Sequence, residues 1–409
     1  MGMTSTTGIE TGSSTPAGGH RFRQVDTMRW LAAFAVILDH AGTSQLRPGA
    51  TLLNYLDEHV IGPPATCVVL FFLISGFVLY RPFVSRRFDG RPAPPLLPYA
   101  VTRVARIVPA YWLALTVTAI WFGLSYIGHP TGFIRYFFFL QIYSNLHTFL
   151  GGLPVAWSLC VEVTFYAALP LLAFAVRRTS RRLSLIQSEL LMAATMIVVS
   201  VIWQLYFSNS AWAARHDLRF SFLSMLPGMM GLLAAGMLLA VFSVEHDRRP
   251  TPRRAATWIN AHPAVLWLLA TGLFYAEGRV PTSLGLGKWW TITVLMKLVT
   301  CALLLAPLTI GAQDKGALRR MLGAAPLVWL GSISYGIYLW HYQILLRIRP
   351  LIPHAGLFVI TLVVTVLAIG AATVSFYLLE RPSQRLSRRF IAHRASAAVR
   401  PAAPGQTPA

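Results

Sequence analysis

Long apolar runs separated by short clusters of arginine, proline and glycine set the pattern of this chain. A helix needs about 20 predominantly apolar residues to cross a hydrocarbon core of ~30 Å. Ten runs qualify, at about 27–45, 60–80, 106–127, 155–176, 188–208, 220–243, 262–277, 289–310, 325–346 and 356–379. The pattern therefore predicts an all-α integral membrane protein of about ten transmembrane helices. An eleventh stretch, 131–150, is aromatic but is interrupted by Arg135, Gln141, Asn145 and His147. Residues 1–24 begin Ser/Thr/Gly-rich and are expected to form a disordered cytoplasmic tail. Residues 387–409, basic and then Ala/Pro-rich, are expected to form a second disordered tail. The transmembrane domain spans 25–386.

Composition agrees with this and charge orients it. Only 12% of the 409 residues are charged and mean hydropathy is +0.57, whereas a soluble globular chain carries about a quarter charged residues. The net charge of +21, from 35 Lys+Arg against 14 Asp+Glu, would suit nucleic-acid binding only if it were gathered on one soluble face. It is sorted instead. With the N-terminus cytoplasmic and 131–150 not crossing, 26 basic residues fall in cytoplasmic segments, 8 fall outside, and Lys297 lies within a span. A crossing 131–150 would put the RRTSRR and RRPTPRR loops outside, so this stretch is predicted to be re-entrant or interfacial on the outer side. The expected location is a bacterial cell membrane, multi-pass, with both termini cytoplasmic, the lipid bilayer as partner and no nucleic acid. Cys67, Cys160 and Cys301 lie in apolar runs without metal-ligand or CxxC spacing. They are expected to be core residues, with no disulfide and no metal site.

Ionisable residues inside spans are costly, and so mark candidate functional positions. Arg29 and His40 are eleven residues apart, which returns to within about 20° of one helical face at ~16 Å separation. Arg29 is thus predicted at the cytoplasmic mouth and His40 deep on the same stripe, where a histidine suits general-base work on a hydroxyl. The competing reading is an interfacial polar residue. Asp39 points about 100° away and is not expected to form a one-face dyad with His40. Arg103 and Arg106 share a face at i, i+3, either as a phosphate clamp or as ordinary positive-inside anchors. Ser75-Gly76 suits close helix packing. Ser158, Glu162 and Tyr166 share a face, with Glu162 needing a partner or a proton. Ser334, Tyr338 and His341 share another, where an interhelical hydrogen-bonded histidine is the simpler reading. Lys297 is expected to pair with Glu162 or Asp39, and Glu380 to cap or anchor the last span.

Together these blocks resemble the acyltransferase 3 family of polytopic membrane O-acyltransferases. The matches run in family order: RWLAAFAVILDH with its R-x10-H spacing, FFLISGF, RVARIVPAYW, WSLCVEVTFYAALP, GSISYGIYLWH and LERP, across about 25–386. The resemblance implies an acyl-CoA co-substrate arriving from the cytoplasm, an essential His40, and arginines at 103 and 106 that matter for activity. It implies no further cofactor. Members that decorate extracellular polymers often carry an additional C-terminal SGNH-type domain, which does not follow LERP here, so the acceptor class stays open. The expected reaction moves a short acyl group from acyl-CoA to a hydroxyl of a carbohydrate, glycan or macrolide. His40 would be base or acyl relay, Glu162 would orient the imidazole or the acceptor, and Arg29, Arg103 and Arg106 would bind the donor. Ser75, Ser158, Tyr166, Tyr338 and His341 would support them. The alternative is a transporter or flippase of a lipid-linked sugar, against which the absence of internal repeats speaks.

Overall fold

The structure, a computed structural model, describes residues 22–44, 66–248, 254–311 and 316–399. Most of the expected N-terminal tail, 1–21, lies outside the described residues, as does 400–409. Every described regular element is helical. Ten long helices coincide one for one with the ten predicted runs. They are α1 (Arg23–Thr43), α2 (Thr66–Phe88), α3 (Leu96–Phe122), α4 (Trp157–Thr179), α5 (Leu185–Asn209), α6 (Leu226–Arg248), α7 (Pro263–Glu277), α8 (Leu286–Thr309), α9 (Ala325–Ile348) and α10 (Leu357–Ser375). Past a π-turn at Phe376–Glu380, α11 (Arg381–Val399) continues the chain as a basic helix, in place of a tail disordered from 387.

By length and hydropathy, seven described helices suffice to cross a membrane. The number is eight if Arg254–Ala261 and α7, bent by 80°, are one span. α1 and α9 have the length but not the apolar composition. At 21 and 24 residues and 1.5 Å per residue they have spanning length, but they carry Asp26, Arg29, Asp39 and His40, or Ser334, Tyr338 and His341. The stretch 131–150 does not form a continuous helix. It is broken into Pro130–Phe137, a 3-10 turn at Gln141–Tyr143 and Leu146–Phe149.

Glycines set the closest helix contacts. A Cβ on Gly76 of α2 would lie 2.2 Å from the Leu233 carbonyl oxygen of α6, and one on Gly236 of α6 would lie 2.0 Å from the Leu73 carbonyl oxygen. Only glycine permits that approach, and α2 and α6 are the most buried of the seven helices that are long and apolar enough to cross a membrane. α9 is seated the same way: a Cβ on Gly331 would lie 2.0 Å from the Asp26 carbonyl oxygen of α1, and one on Gly336 would lie 2.9 Å from Cβ of Ala372 on α10. Buried polar pairs complete the packing. Arg87 on α2 binds Glu189 on α5, which also accepts from the Tyr80 hydroxyl at 2.6 Å, while a second Arg87 nitrogen donates to the Ala173 carbonyl of α4 at 3.1 Å.

Candidate active site

The seam of α1 and α9 brings two distant histidines together. Nδ1 of His40 and Nε2 of His341 are 2.9 Å apart, with the rings nearly coplanar at 6°. Nδ1 of His341 lies 2.8 Å from the carbonyl oxygen of Tyr338. A carbonyl only accepts, so this nitrogen carries the proton. In the neutral pair, Nε2 of His341 is then the acceptor and Nδ1 of His40 the donor. The Nε2 of His40 is left with its lone pair, as a base or nucleophile requires. Here the tautomer follows from the hydrogen-bond network. His341 is fully buried, His40 half-buried, and Tyr342 packs edge-on against the His40 ring at 4.9 Å. At 1.5 Å per residue, both histidines lie ~25 Å from the helix ends that bear Arg23 and Ala325.

A cavity of about 1220 Å³ opens at those same helix ends. Seven arginines line it, from α1, α2, α3 and α11 and the loop after α2, among them Arg23, Arg29, Arg86, Arg91 and Arg106, against the carboxylates of Asp26 and Glu380. Arg29 is held by Asp26 at 2.9 Å. Arg29 and Arg106 also line a narrower chamber of about 80 Å³, so the two spaces meet at these side chains. In this chamber Glu162 accepts from Ser75 at 3.0 Å and from Tyr166 at 2.8 Å. The Arg103 guanidinium lies over the rings of Tyr99 and Tyr166, 5.7 and 5.9 Å from their centroids. The far wall holds Tyr338 and Ser158, whose hydroxyls are 2.9 Å apart and both point to the Val155 carbonyl. The Tyr338 ring is 5.7 Å from that of His341. An arginine-lined mouth thus leads to a polar chamber whose end wall adjoins the histidine pair.

Most predicted site residues meet along this route, with several changes of partner. Glu162 is bonded to Ser75 and Tyr166, so the group orienting the His40 imidazole is His341. Ser158 bonds Tyr338 rather than Glu162. Ser75 is a hydrogen-bond donor, and Gly76 supplies the packing. Lys297 pairs with Glu277 at 3.4 Å rather than with Glu162. Glu380 is 2% exposed and lines the mouth, with Oε1 unbonded among the described residues, beyond the expected capping role. Tyr335, not singled out from sequence, lines both spaces and donates to the Ile107 carbonyl at 2.8 Å. Its place beside Ser334 in the SISYG block was the available signal.

Comparison with known proteins agrees in extent with this architecture. A family model described as an acyltransferase domain matches residues 22–381. Nodulation protein 10 of Rhizobium leguminosarum bv. viciae is 24% identical over 94% of this chain and 99% of its own length. Acyltransferase MdmB of Streptomyces mycarofaciens is 24% identical over 80% of this chain and 79% of its own. The peptidoglycan O-acetyltransferase OatA of Listeria monocytogenes is 23% identical over 80% of this chain, which spans only 50% of that longer protein. No solved structure matches the chain. The transporter reading gives way, because the family that covers nearly the whole chain is enzymatic. The chain belongs to the acyltransferase 3 family and is a multi-pass membrane acyltransferase.

Proposed function

We propose that the protein transfers a short acyl group from acyl-CoA to a hydroxyl of a carbohydrate or macrolide-type acceptor, with Nε2 of His40 as the reacting base. The observation carrying this reading is the His40–His341–Tyr338 carbonyl relay, which leaves a lone pair at the end of a route lined with arginine. The donor enters from the arginine end, the cytoplasmic side under the positive-inside rule. Arg29, Arg103 and Arg106 hold its phosphates through charge-assisted hydrogen bonds, and the pantetheine arm extends through the chamber toward Tyr338. Glu162, fixed by Ser75 and Tyr166, serves as counter-charge to these arginines. His40 removes the acceptor's hydroxyl proton as its oxygen attacks the thioester carbon. The carbon–sulfur bond breaks, and the imidazolium returns the proton to the departing CoA thiolate. If Nε2 itself attacks first, the acyl group rests on His40 before passing to the hydroxyl.

The test incubates membranes containing the protein with acetyl-CoA and a panel of sugars, glycan fragments and macrolides. Free CoA is measured alongside the acceptor mass. Acceptor-dependent CoA release with a gain of one acetyl unit on that acceptor is expected. Thiol release without acylation of any acceptor would overturn the reading.

A further inference from the structure

A second cavity, of about 790 Å³, lies on the other side of α1 and shares no lining residue with the donor route. It is walled by α1, α2, α7 and α8. Along α1 its lining is apolar from Met28 through Leu31 and Ala35 to Leu38, ~16 Å of helix up to Asp39. Leu31, Leu38 and Phe274 are exposed on the belt of the bundle, so the cavity opens sideways toward lipid. Its other end carries charge. Asp39 and the Lys297–Glu277 pair line it, with Lys297 and Glu277 side chains 9% and 14% exposed. Ionisable groups at membrane depth are expensive and gather where a polar ligand or pathway needs them. An apolar trough ending in one ammonium and two carboxylates is complementary to an amphiphile with an uncharged, hydroxylated head. The head would bond to these groups while the chain lies along α1. Asp39 precedes His40 directly on α1 with its side chain turned about 100° from the imidazole, so a head held there lies on the face of the helix next to the one that carries His40.

We propose that this groove is the acceptor site, and that the acceptor is a membrane-embedded amphiphile bearing a polyhydroxylated head on a long apolar chain. The inference rests on the acyl-transfer reading only for the fate of the occupant, since occupancy itself is independent of the donor.

A photoreactive alkyl glucoside, with the crosslinker in its chain, tests occupancy in membranes holding the full chain. A photoreactive alkane of equal length is the comparison, and both are mapped by mass analysis of peptides. The glucoside should label 28–43 and 266–277 in preference to the alkane by roughly tenfold, the scale of one charge-assisted hydrogen bond. Ala35→Phe, at an exposed lining position, should block labelling by filling the trough. Thr271→Phe on the opposite wall does the same if that variant fails to insert. Lys297→Met should remove the preference for the sugar head while alkane labelling persists. Equal labelling by both probes in the parent, or full labelling of the filled grooves, overturns the proposal. Specific labelling in a protein that shows no CoA release would sustain the groove and sink the acyl-CoA reading. Acetyl transfer to free glucose, with release of CoA, without groove labelling would do the reverse.

Discussion

In the proposed mechanism, two nitrogen atoms decide the chemistry of the site. The hydrogen bond from His40 to His341 fixes which face of the first imidazole is basic, and the Tyr338 carbonyl fixes the second ring in turn. In the proposed mechanism His341 is therefore a positioning residue. Replacing it with leucine should lower the transfer rate by about a hundredfold or more, the scale seen when a base loses the group that sets its tautomer. His341→Gln offers an oxygen that still accepts from Nδ1 of His40 and should recover part of that loss with KM for acetyl-CoA unchanged. Equal rates for the two variants would assign His341 to packing alone. The R-x10-H spacing gave the stripe of Arg29 and His40 in advance, because helical geometry is local. The partner of His40 was not legible: 301 residues separate the two histidines, and no periodicity reports which spans touch. For the same reason the sequence offered Glu162 as a neighbour of His40 when its bonds go to Ser75 and Tyr166.

Among the helices, α1 and α9 show why hydropathy alone understates the bundle. Their polar residues face one another or the cavities, and the glycine contact at Gly331 holds the pair close enough for the histidines to meet. Gly331→Leu must push α1 from α9. It should destabilise the protein by about 1–3 kcal/mol and abolish transfer, whereas Gly370→Ala, with nothing within 4 Å of the added carbon, should leave both melting temperature and rate unchanged. The buried Arg87–Glu189 pair gives a second check on the packing. Arg87→Met strands a carboxylate that is 1% exposed and should cost about 3–5 kcal/mol. Adding Glu189→Leu should restore most of that melting temperature. The ten helices themselves were readable from apolar run length, and 131–150 from its interruptions. The helix of 381–399 was not, because a basic, alanine-rich stretch satisfies a disordered reading equally well until it is seen to continue α10 and to rest against α3.

Across the whole molecule, basic charge does two things: its sorting predicts the orientation of the chain, and it lines the mouth from which the donor is proposed to enter. Two cavities flank α1, one rich in arginine and one apolar with charge at its end, and His40 lies at the far end of the helix between them. If the arginines bind phosphates, Arg106→Gln should raise KM for acetyl-CoA with little change in kcat, and added salt should weaken the parent more than the variant. An unchanged KM and salt response would confine Arg106 to anchoring the bundle. The account as a whole depends on His40, and its most direct measurement is acetyl transfer by membranes carrying His40→Ala at the parent's protein level. Loss of all acceptor-dependent CoA release, with the variant still inserted, is the predicted result. Acylation at the parent's rate would contradict it.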